Sequence, residues 1–151
     1  MSVLKKISVV LLLLAFFPVS AVCAEKVIDR ANIKAALLVE MESGKVLYSY
    51  NERIVIQPAS LTKILTLYLV NEEIRAGKIK DTDKVRISAR AAQTNGSKIF
   101  YDEGDWAVFG ELVKFMAIFS ANDASIAVAE HLAGTVEDFV ARMNNKAKEL
   151  G

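Results

Sequence analysis

The chain has 151 residues, of which 19 are lysine or arginine and 18 are aspartate or glutamate. That length suits one domain or part of one, and the near-balance of charge leaves no basic field for a nucleic-acid partner. No cluster of histidines and carboxylates has metal-ligand spacing, so no metal and no other cofactor is predicted. A Ser-His-Asp triad would depend on His131 alone, which is most simply a helix-face residue.

Residues 1–24 have the three-part layout of a secretory signal peptide. Lys5 and Lys6 form a positive start, residues 7–17 are apolar apart from one serine, and small residues precede a predicted cleavage site after Ala24. The apolar run is too short to span a bilayer comfortably. An uncleaved anchor is the alternative.

Cleavage there would leave residues 25–151 as the mature chain, with 17 basic and 18 acidic residues. Cys23 would be lost with the leader, so the mature chain has no disulfide and no thiolate nucleophile. A lipoprotein leader is a further alternative for Cys23, although Val22 stands where a small residue would be wanted.

The first predicted elements of the mature chain are two short strands. Residues 35–40 and 45–50 are apolar-rich runs, and the connector between them contains Gly44, which is typical of a β-hairpin. Residues 51–59 form the loop that follows.

Residues 60–76 predict a helix that ends at Gly77. Its apolar residues surround most of the cylinder, so at least its first half is expected to be buried. Residues 81–88 predict a turn and a short strand, and residues 89–105 are expected to be loop-like.

Three further helices are predicted, over residues 109–119, 124–133 and 135–150, with the polar segment 120–123 interrupting the first two. The sequence therefore predicts an α+β architecture in which a hairpin lies beside a cluster of helices.

Lys63 is the most informative residue, since it is the only charged residue between Leu61 and Asn71 on an apolar helix. A buried lysine is costly unless it is paired or neutral, and burial lowers its pKa. A neutral amine near pH 7 is a competent general base. The alternative is a lysine that extends its amine to the surface.

Ser60 lies three residues earlier, on the same helix face as Lys63. A serine at a helix start has backbone N–H groups and the positive end of the dipole beside it, which would stabilise an oxyanion. A nucleophile and base one turn apart suit acyl transfer. Ser60 is equally a candidate helix N-cap, and Ser-x-x-Lys alone is a weak motif.

Ser120 and Asn122 present a hydroxyl and a carboxamide at the break between two apolar helices. If the break faces Ser60 and Lys63, Ser120 could relay a proton to a leaving amine, and Asn122 could hold a substrate amide or Lys63. The alternative is helix capping, with Asn122 or Asp123 starting the next helix.

Two motifs carry a family resemblance: Pro58-Ala59-Ser60-Leu61-Thr62-Lys63 and, about sixty residues later, Ser120-Ala121-Asn122-Asp123-Ala124-Ser125. They resemble the motifs of the penicillin-binding, serine-type D-alanyl-D-alanine carboxypeptidases. The likeness runs through nearly all of the mature chain. It extends to residues 35–39, 43–48, 96–98, 139–144 and 147–151.

The resemblance implies the β-lactamase/DD-peptidase-like fold and four site residues. Ser60 would be the acyl-ester nucleophile, Lys63 the general base, Ser120 the proton relay, and Asn122 a contact to substrate or lysine. The implied substrate is the D-Ala-D-Ala end of a peptidoglycan stem pentapeptide, and β-lactams would acylate the same serine. The implied location is the periplasm, at the outer face of the inner membrane.

Two departures from the family pattern stand out. Ala121 replaces the glycine usual between the serine and asparagine of the second motif. The third motif, Lys-Thr-Gly on a later strand, is not among the 151 residues. We therefore expect residues 25–151 to be the N-terminal part of an incomplete catalytic domain with doubtful activity of its own. A C-terminal membrane anchor, which many family members carry, would lie outside these residues.

Three functions compete on the sequence alone. The first is a D,D-carboxypeptidase or the closely related endopeptidase. The second is a β-lactamase of similar fold, which needs a deacylating carboxylate that the sequence does not identify. The third is a non-catalytic cell-wall-binding protein, favoured if 151 residues is the natural length.

Overall fold

A computed structural model of the protein describes residues 30–151. The predicted leader, residues 1–24, lies outside the described residues. The described part belongs to two compact units, residues 30–55 and residues 56–151, and each contains an antiparallel sheet of two strands. Over residues 30–151, no helix combines the length and the apolar content that crossing a bilayer would require.

The first unit contains the predicted hairpin. After a 3-10 turn at Arg30–Asn32, strand β1 (Ala36–Val39) pairs with strand β2 (Val46–Tyr50) in antiparallel register. The turn is held by Glu40, whose carboxylate accepts hydrogen bonds from two backbone N–H groups of the connector. The hairpin prediction is confirmed: the two apolar-rich runs pair with each other, and the connector between them contains Gly44.

The second unit contains the helices and a second strand pair. Its elements in chain order are α1 (Thr62–Arg75), β3 (Lys84–Arg86), α2 (Ala89–Gln93), β4 (Trp106–Val108), α3 (Phe109–Phe119), α4 (Asn122–Ala133) and α5 (Val136–Leu150). The four longer helices were all predicted, with ends that agree within two residues. The start of α5 is capped as its sequence suggests, since the Thr135 hydroxyl accepts a hydrogen bond from the Asp138 N–H.

Residues 89–105 are not all loop, so that expectation is wrong at its start. Ser88 caps the short helix α2 by accepting a hydrogen bond from the Ala91 N–H. The predicted strand finds its partner in β4, where Val85 lies opposite Ala107. Strand β4 was not predicted from the sequence. Three residues are too few to show a periodic pattern, and their extended conformation depends on pairing with β3.

The helices pack around a core of apolar side chains contributed mainly by α3, α4 and the β3–β4 pair. Among its fully buried members are Val85, Phe109, Leu112, Met116 and Val128. A second cluster joins α1, α4 and α5 through Leu69, Ala129, Phe139 and Met143. This packing brings the start of α1 beside the junction between α3 and α4.

The first half of α1 is less buried than expected. Ile64 is 64% exposed, and Leu61, directly before the helix, is 65% exposed, whereas Thr66, Leu69 and Val70 are buried. Helices α3, α4 and α5 pack against α1, and the buried residues mark the side that they cover. Because the apolar residues surround the helix, periodicity alone could not indicate which side would be covered.

Candidate active site

Ser60 and Lys63 lie at the N-terminal end of α1. Ser60 belongs to a 3-10 turn, residues 59–61, that leads into the helix, and Lys63 follows one turn later. Lys63 Nζ donates a hydrogen bond to Ser60 Oγ at 3.3 Å. Neither the turn nor α1 has a side-chain capping bond at its start, so the structure does not support the N-cap interpretation of Ser60.

The backbone directly before Ser60 has an unusual conformation. Ala59 has φ +49°, in the left-handed region that side-chain-bearing residues rarely adopt. Such residues cost of order 1–3 kcal/mol and concentrate at functional sites. The conformation of Ala59 directs the chain into the turn that presents the Ser60 hydroxyl.

Ser120 and Asn122 lie at the break between α3 and α4. Ser120 ends α3 with φ +56° and ψ +32°, a left-handed conformation that turns the chain, and Asn122 is the first residue of α4. Ala121 occupies the N-cap position and no side chain caps α4. Ser120 and Asn122 therefore do not cap α4 with their side chains, and both side chains reach toward Lys63 on α1.

The four sequence-predicted site residues come together in one hydrogen-bonded group. Besides Ser60, Lys63 Nζ donates to Ser120 Oγ at 3.2 Å and to Asn122 Oδ1 at 2.7 Å. Ser120 Oγ in turn donates to Ser60 Oγ at 2.8 Å. A proton on either hydroxyl is thus one hydrogen bond away from the lysine amine.

The surroundings of Lys63 make its charged form less favourable than it is in water. Its side chain is half-buried, and burial lowers the pKa of the Lys63 amine from its ordinary value of 10.5. Its three hydrogen-bond partners are two hydroxyls and a carboxamide, none of which is an anion. The amine is turned into the site and not extended to the surface, which disfavours the alternative sequence interpretation.

A groove of about 420 Å³ opens beside this group. Its lining includes Ser60, Lys63 and Asn122, together with apolar side chains of α4 and α5 such as Phe139 and Met143. Ser60 is exposed and lines this groove, so its hydroxyl can be reached from solvent.

The segment around residues 96–98, which the sequence indicated only through the family resemblance, holds Asn122 from the other side. Asn122 Nδ2 donates to the backbone oxygen of Asn95 at 2.7 Å, and the Asn122 N–H donates to the backbone oxygen of Ser97 at 2.7 Å. Between them, Gly96 has φ +90°, and a Cβ there would lie 2.7 Å from Asn122 Nδ2. The Asn95-Gly96 pair is a turn signal that could have indicated this tight segment.

His131 takes no part in this group. It lies at the end of α4, is exposed, and contacts the Phe109 ring with centroids 5.4 Å apart. The prediction of a helix-face histidine is confirmed. Within the described range 30–151, no group of three or more His, Cys, Asp or Glu side chains is placed to hold a metal ion.

The arrangement can support serine-dependent acyl transfer with a lysine as the candidate base. A hydroxyl at a helix start, a pKa-lowered amine within hydrogen-bonding reach, and a second hydroxyl bridging the two are the groups that such chemistry requires.

Comparison with known proteins identifies the family. The sequence model of the D-alanyl-D-alanine carboxypeptidases, peptidase family S11, matches residues 22–151. The chain is 50% identical over 118 residues to D-alanyl-D-alanine carboxypeptidase DacF of Bacillus subtilis (strain 168), covering 78% of this chain and 30% of that protein. The chain therefore belongs to the D-alanyl-D-alanine carboxypeptidase family.

Solved structures agree with this assignment. D-alanyl-D-alanine carboxypeptidase DacD from Francisella tularensis matches with a TM-score of 0.72 and 38% identity, over 82% of this chain and 31% of that one. Penicillin binding protein 5 from Haemophilus influenzae matches with a TM-score of 0.72 and 35% identity, over 78% and 35%. The predicted α+β, DD-peptidase-like fold is confirmed. The chain spans about a third of the length of the relatives it matches.

Proposed function

We propose that the full-length protein is a serine-type D-alanyl-D-alanine carboxypeptidase. It removes the terminal D-alanine from peptidoglycan stem peptides through an acyl-enzyme on Ser60, and penicillins acylate the same residue. The observation that carries this proposal is the placement of Lys63 Nζ within 3.3 Å of both the Ser60 and Ser120 hydroxyls. Family membership supplies the substrate class, and a structural neighbour is named a penicillin binding protein.

Acylation follows from the proposed roles of these groups. Ser60 Oγ attacks the carbonyl carbon of the penultimate D-alanine while Lys63 takes the Oγ proton. The negative charge that develops on the carbonyl oxygen lies near the backbone N–H of Ser60 at the positive end of α1. The C–N bond then breaks, and the departing D-alanine amine receives a proton that passes from Lys63 through Ser120.

Deacylation reverses these roles. After D-alanine leaves, Lys63 is neutral again and takes a proton from a water molecule that attacks the ester carbonyl. The bond to Ser60 Oγ breaks, Oγ recovers the proton from Lys63, and the shortened peptide is released. In a β-lactam the broken C–N bond belongs to a ring, so the amine stays attached to the adduct on Ser60.

Asn122 has a supporting role in this scheme. Its Oδ1 accepts from Lys63 Nζ at 2.7 Å and so fixes the amine between the two hydroxyls. Preorganised contacts of this kind lower the barrier because they need no rearrangement during the reaction.

The competing functions predict different reactions with the same reagents. A β-lactamase of this fold would release hydrolysed penicillin rapidly, and a cell-wall-binding protein would form no covalent adduct. An endopeptidase would cleave cross-linked peptides in preference to stem pentapeptides. Family membership and the names of the relatives favour the carboxypeptidase.

The proposal includes export of the protein to the periplasm. Residues 1–24 would be removed as a signal peptide, leaving residues 25–151 as the N-terminal part of the catalytic domain. The positive start, the apolar run and the small residues of positions 1–24 support this part of the proposal. N-terminal sequencing of the protein recovered from a periplasmic extract tests this, and a mature N-terminus at Glu25 is expected.

The activity is tested by release of D-alanine from a synthetic stem pentapeptide with the purified full-length protein. Ser60→Ala is expected to abolish release. Ser49→Ala is the matched control, because it removes an exposed hydroxyl that is bonded to Glu52. Persistent release by Ser60→Ala, or no release by the unaltered protein, would contradict the proposed function.

A further inference from the structure

Asp123 is a fully buried acidic residue in the first turn of α4, directly after Asn122. A carboxylate removed from water costs several kcal/mol unless hydrogen bonds replace its hydration. Its partners therefore indicate what the residue does.

Within residues 30–151, the hydrogen-bond partners of the Asp123 carboxylate are all backbone N–H groups. Asp123 Oδ2 accepts from Ile99 at 2.9 Å and from Phe100 at 3.0 Å, and Oδ1 accepts from Ala124 at 2.8 Å. Phe100 has φ +67°, so Asp123 also holds a residue in an unfavourable backbone conformation. These bonds fasten the segment 95–100 to the start of α4.

The opposite end of the same segment holds the α3–α4 break. Asn95 and Ser97 provide the two backbone oxygens that accept from Asn122. The Ser97 hydroxyl donates to the backbone oxygen of Phe119 at 2.7 Å, directly before Ser120. The segment 95–100 is thus bonded on both sides of the break that carries the second half of the site.

This segment determines which way the Asn122 carboxamide faces. With Nδ2 donating to the Asn95 oxygen, Oδ1 is left to accept from Lys63. Turning the carboxamide over would place its N–H donors against the Lys63 amine and its oxygen against the Asn95 oxygen. Both contacts would then be mismatched.

We propose that Asp123 is a positioning residue for the active site: it anchors the segment 95–100, which in turn holds the Asn122 carboxamide oxygen against Lys63. The inference rests on the proposed acyl-transfer function of the site. Asp123 itself touches no reacting atom in this scheme and acts through Asn122.

The test measures the rate constant for acylation of the full-length protein by a fluorescent penicillin. Asp123→Asn keeps the size of the side chain but sets an N–H donor against a backbone donor. It is expected to slow acylation at least tenfold. Val85→Ala, a buried substitution in β3, is the control for lost stability. At a melting temperature similar to that of Asp123→Asn, it is expected to be acylated at close to the rate of the protein without substitutions.

A double-mutant cycle separates positioning from general destabilisation. If Asp123 acts through Asn122, adding Asp123→Asn to Asn122→Ala slows acylation by less than about threefold. Losses that multiply in the double variant would overturn the inference, as would an unaltered rate in Asp123→Asn. If Asp123→Asn does not fold, Ser97→Ala is the variant to measure. It removes the hydrogen bond from the exposed Ser97 hydroxyl to the Phe119 oxygen, which joins the segment 95–100 to the end of α3. An unchanged acylation rate in this variant would contradict the proposal.

Failure of the proposed function gives a different result. In that case the protein without substitutions is not labelled at Ser60, and no variant can be compared. Labelling at Ser60 together with an Asp123→Asn rate equal to that of Val85→Ala rejects the positioning role alone.

Discussion

Lys63 Nζ donates a 2.7 Å hydrogen bond to Asn122 Oδ1, joining residues that are 59 positions apart in the sequence. It is the shortest of the three hydrogen bonds from the Lys63 amine, the others being 3.2 and 3.3 Å to the hydroxyls of Ser120 and Ser60. The amine is thus held by a neutral acceptor on α4 while it contacts both serine hydroxyls. The site consequently depends on the packing of α1 against α4.

Removal of the Asn122 carboxamide should slow acylation without unfolding the protein. A hydrogen bond from a charged or potentially charged donor contributes about 1.5–3 kcal/mol, so Asn122→Ala is expected to lower the penicillin acylation rate by about 10- to 100-fold. Asn71→Ala is the control, since its exposed carboxamide donates to the Leu67 oxygen on the same helix. Equal rates in the two variants would show that the Lys63 contact has no catalytic role.

Acylation should depend on pH through Lys63. Because burial lowers the pKa of this amine below 10.5, the acylation rate should rise with pH, with the midpoint of the rise below 10.5, and then level off. Lys63→Arg keeps the positive charge but cannot give up its proton, so the rate should fall by about 10² to 10⁴ and lose this rise. A pH-independent rate, or a midpoint at 10.5 or above, would contradict the assignment of Lys63 as base.

The lowered pKa of Lys63 should also make the free energy of unfolding depend on pH. A lysine whose pKa is lower in the folded state binds fewer protons there than in the unfolded chain. The free energy of unfolding should therefore rise with pH between the lowered pKa and 10.5. Denaturant titrations at several pH values should show a smaller rise for Lys63→Met. An equal rise in that variant would assign the pH dependence to other groups.

The backbone at Ser120 allows its hydroxyl and its conformation to be tested separately. Both Ser120→Ala and Ser120→Gly remove the proposed relay and should slow acylation. Only glycine adopts φ +56° freely, so Ser120→Gly should be more stable than Ser120→Ala by roughly 1 kcal/mol. Denaturant unfolding measures the difference, and acylation at the unaltered rate in either variant would exclude a role for the hydroxyl.

Gly96 should be required for acylation as well as for the local backbone. A Cβ at this position would lie 2.7 Å from Asn122 Nδ2, so Gly96→Ala should displace the carboxamide and slow acylation. Gly134→Ala is the matched control, with φ +84° and nothing within 4 Å of the added carbon. Both variants should lose roughly 1–3 kcal/mol of stability from backbone strain. Similar acylation rates in the two would show that the Asn122 contact is unimportant.

The first half of the site could be predicted from the sequence because its geometry is local. Ser60 and Lys63 are one turn apart, so their proximity follows from helix geometry and from the unusual position of a lysine in an apolar run. The approach of Ser120 and Asn122 depends on packing between α1, α3 and α4. Residue spacing alone left that approach undecided, and family resemblance supplied the expectation.

The hydrogen bonds that hold Asn122 from the segment 95–100 could not be predicted for a related reason. Asn95 and Ser97 contribute backbone oxygens, which leave no mark on side-chain chemistry in the sequence. Asp123 resembles an ordinary acidic residue in the first turn of a helix. Its complete burial, and its bonds to Ile99 and Phe100, arise only from tertiary packing.

The central claim is that Ser60 is the nucleophile, and mass spectrometry of the penicillin-treated full-length protein tests it most directly. Trypsin releases the peptide Ile54–Lys63, which contains Ser60 and Thr62 as its hydroxyl residues. The account predicts that this peptide gains the mass of one penicillin and that fragment ions assign it to Ser60. An adduct on Thr62, on Ser120 or on any other residue, or no adduct on the folded protein, would contradict it.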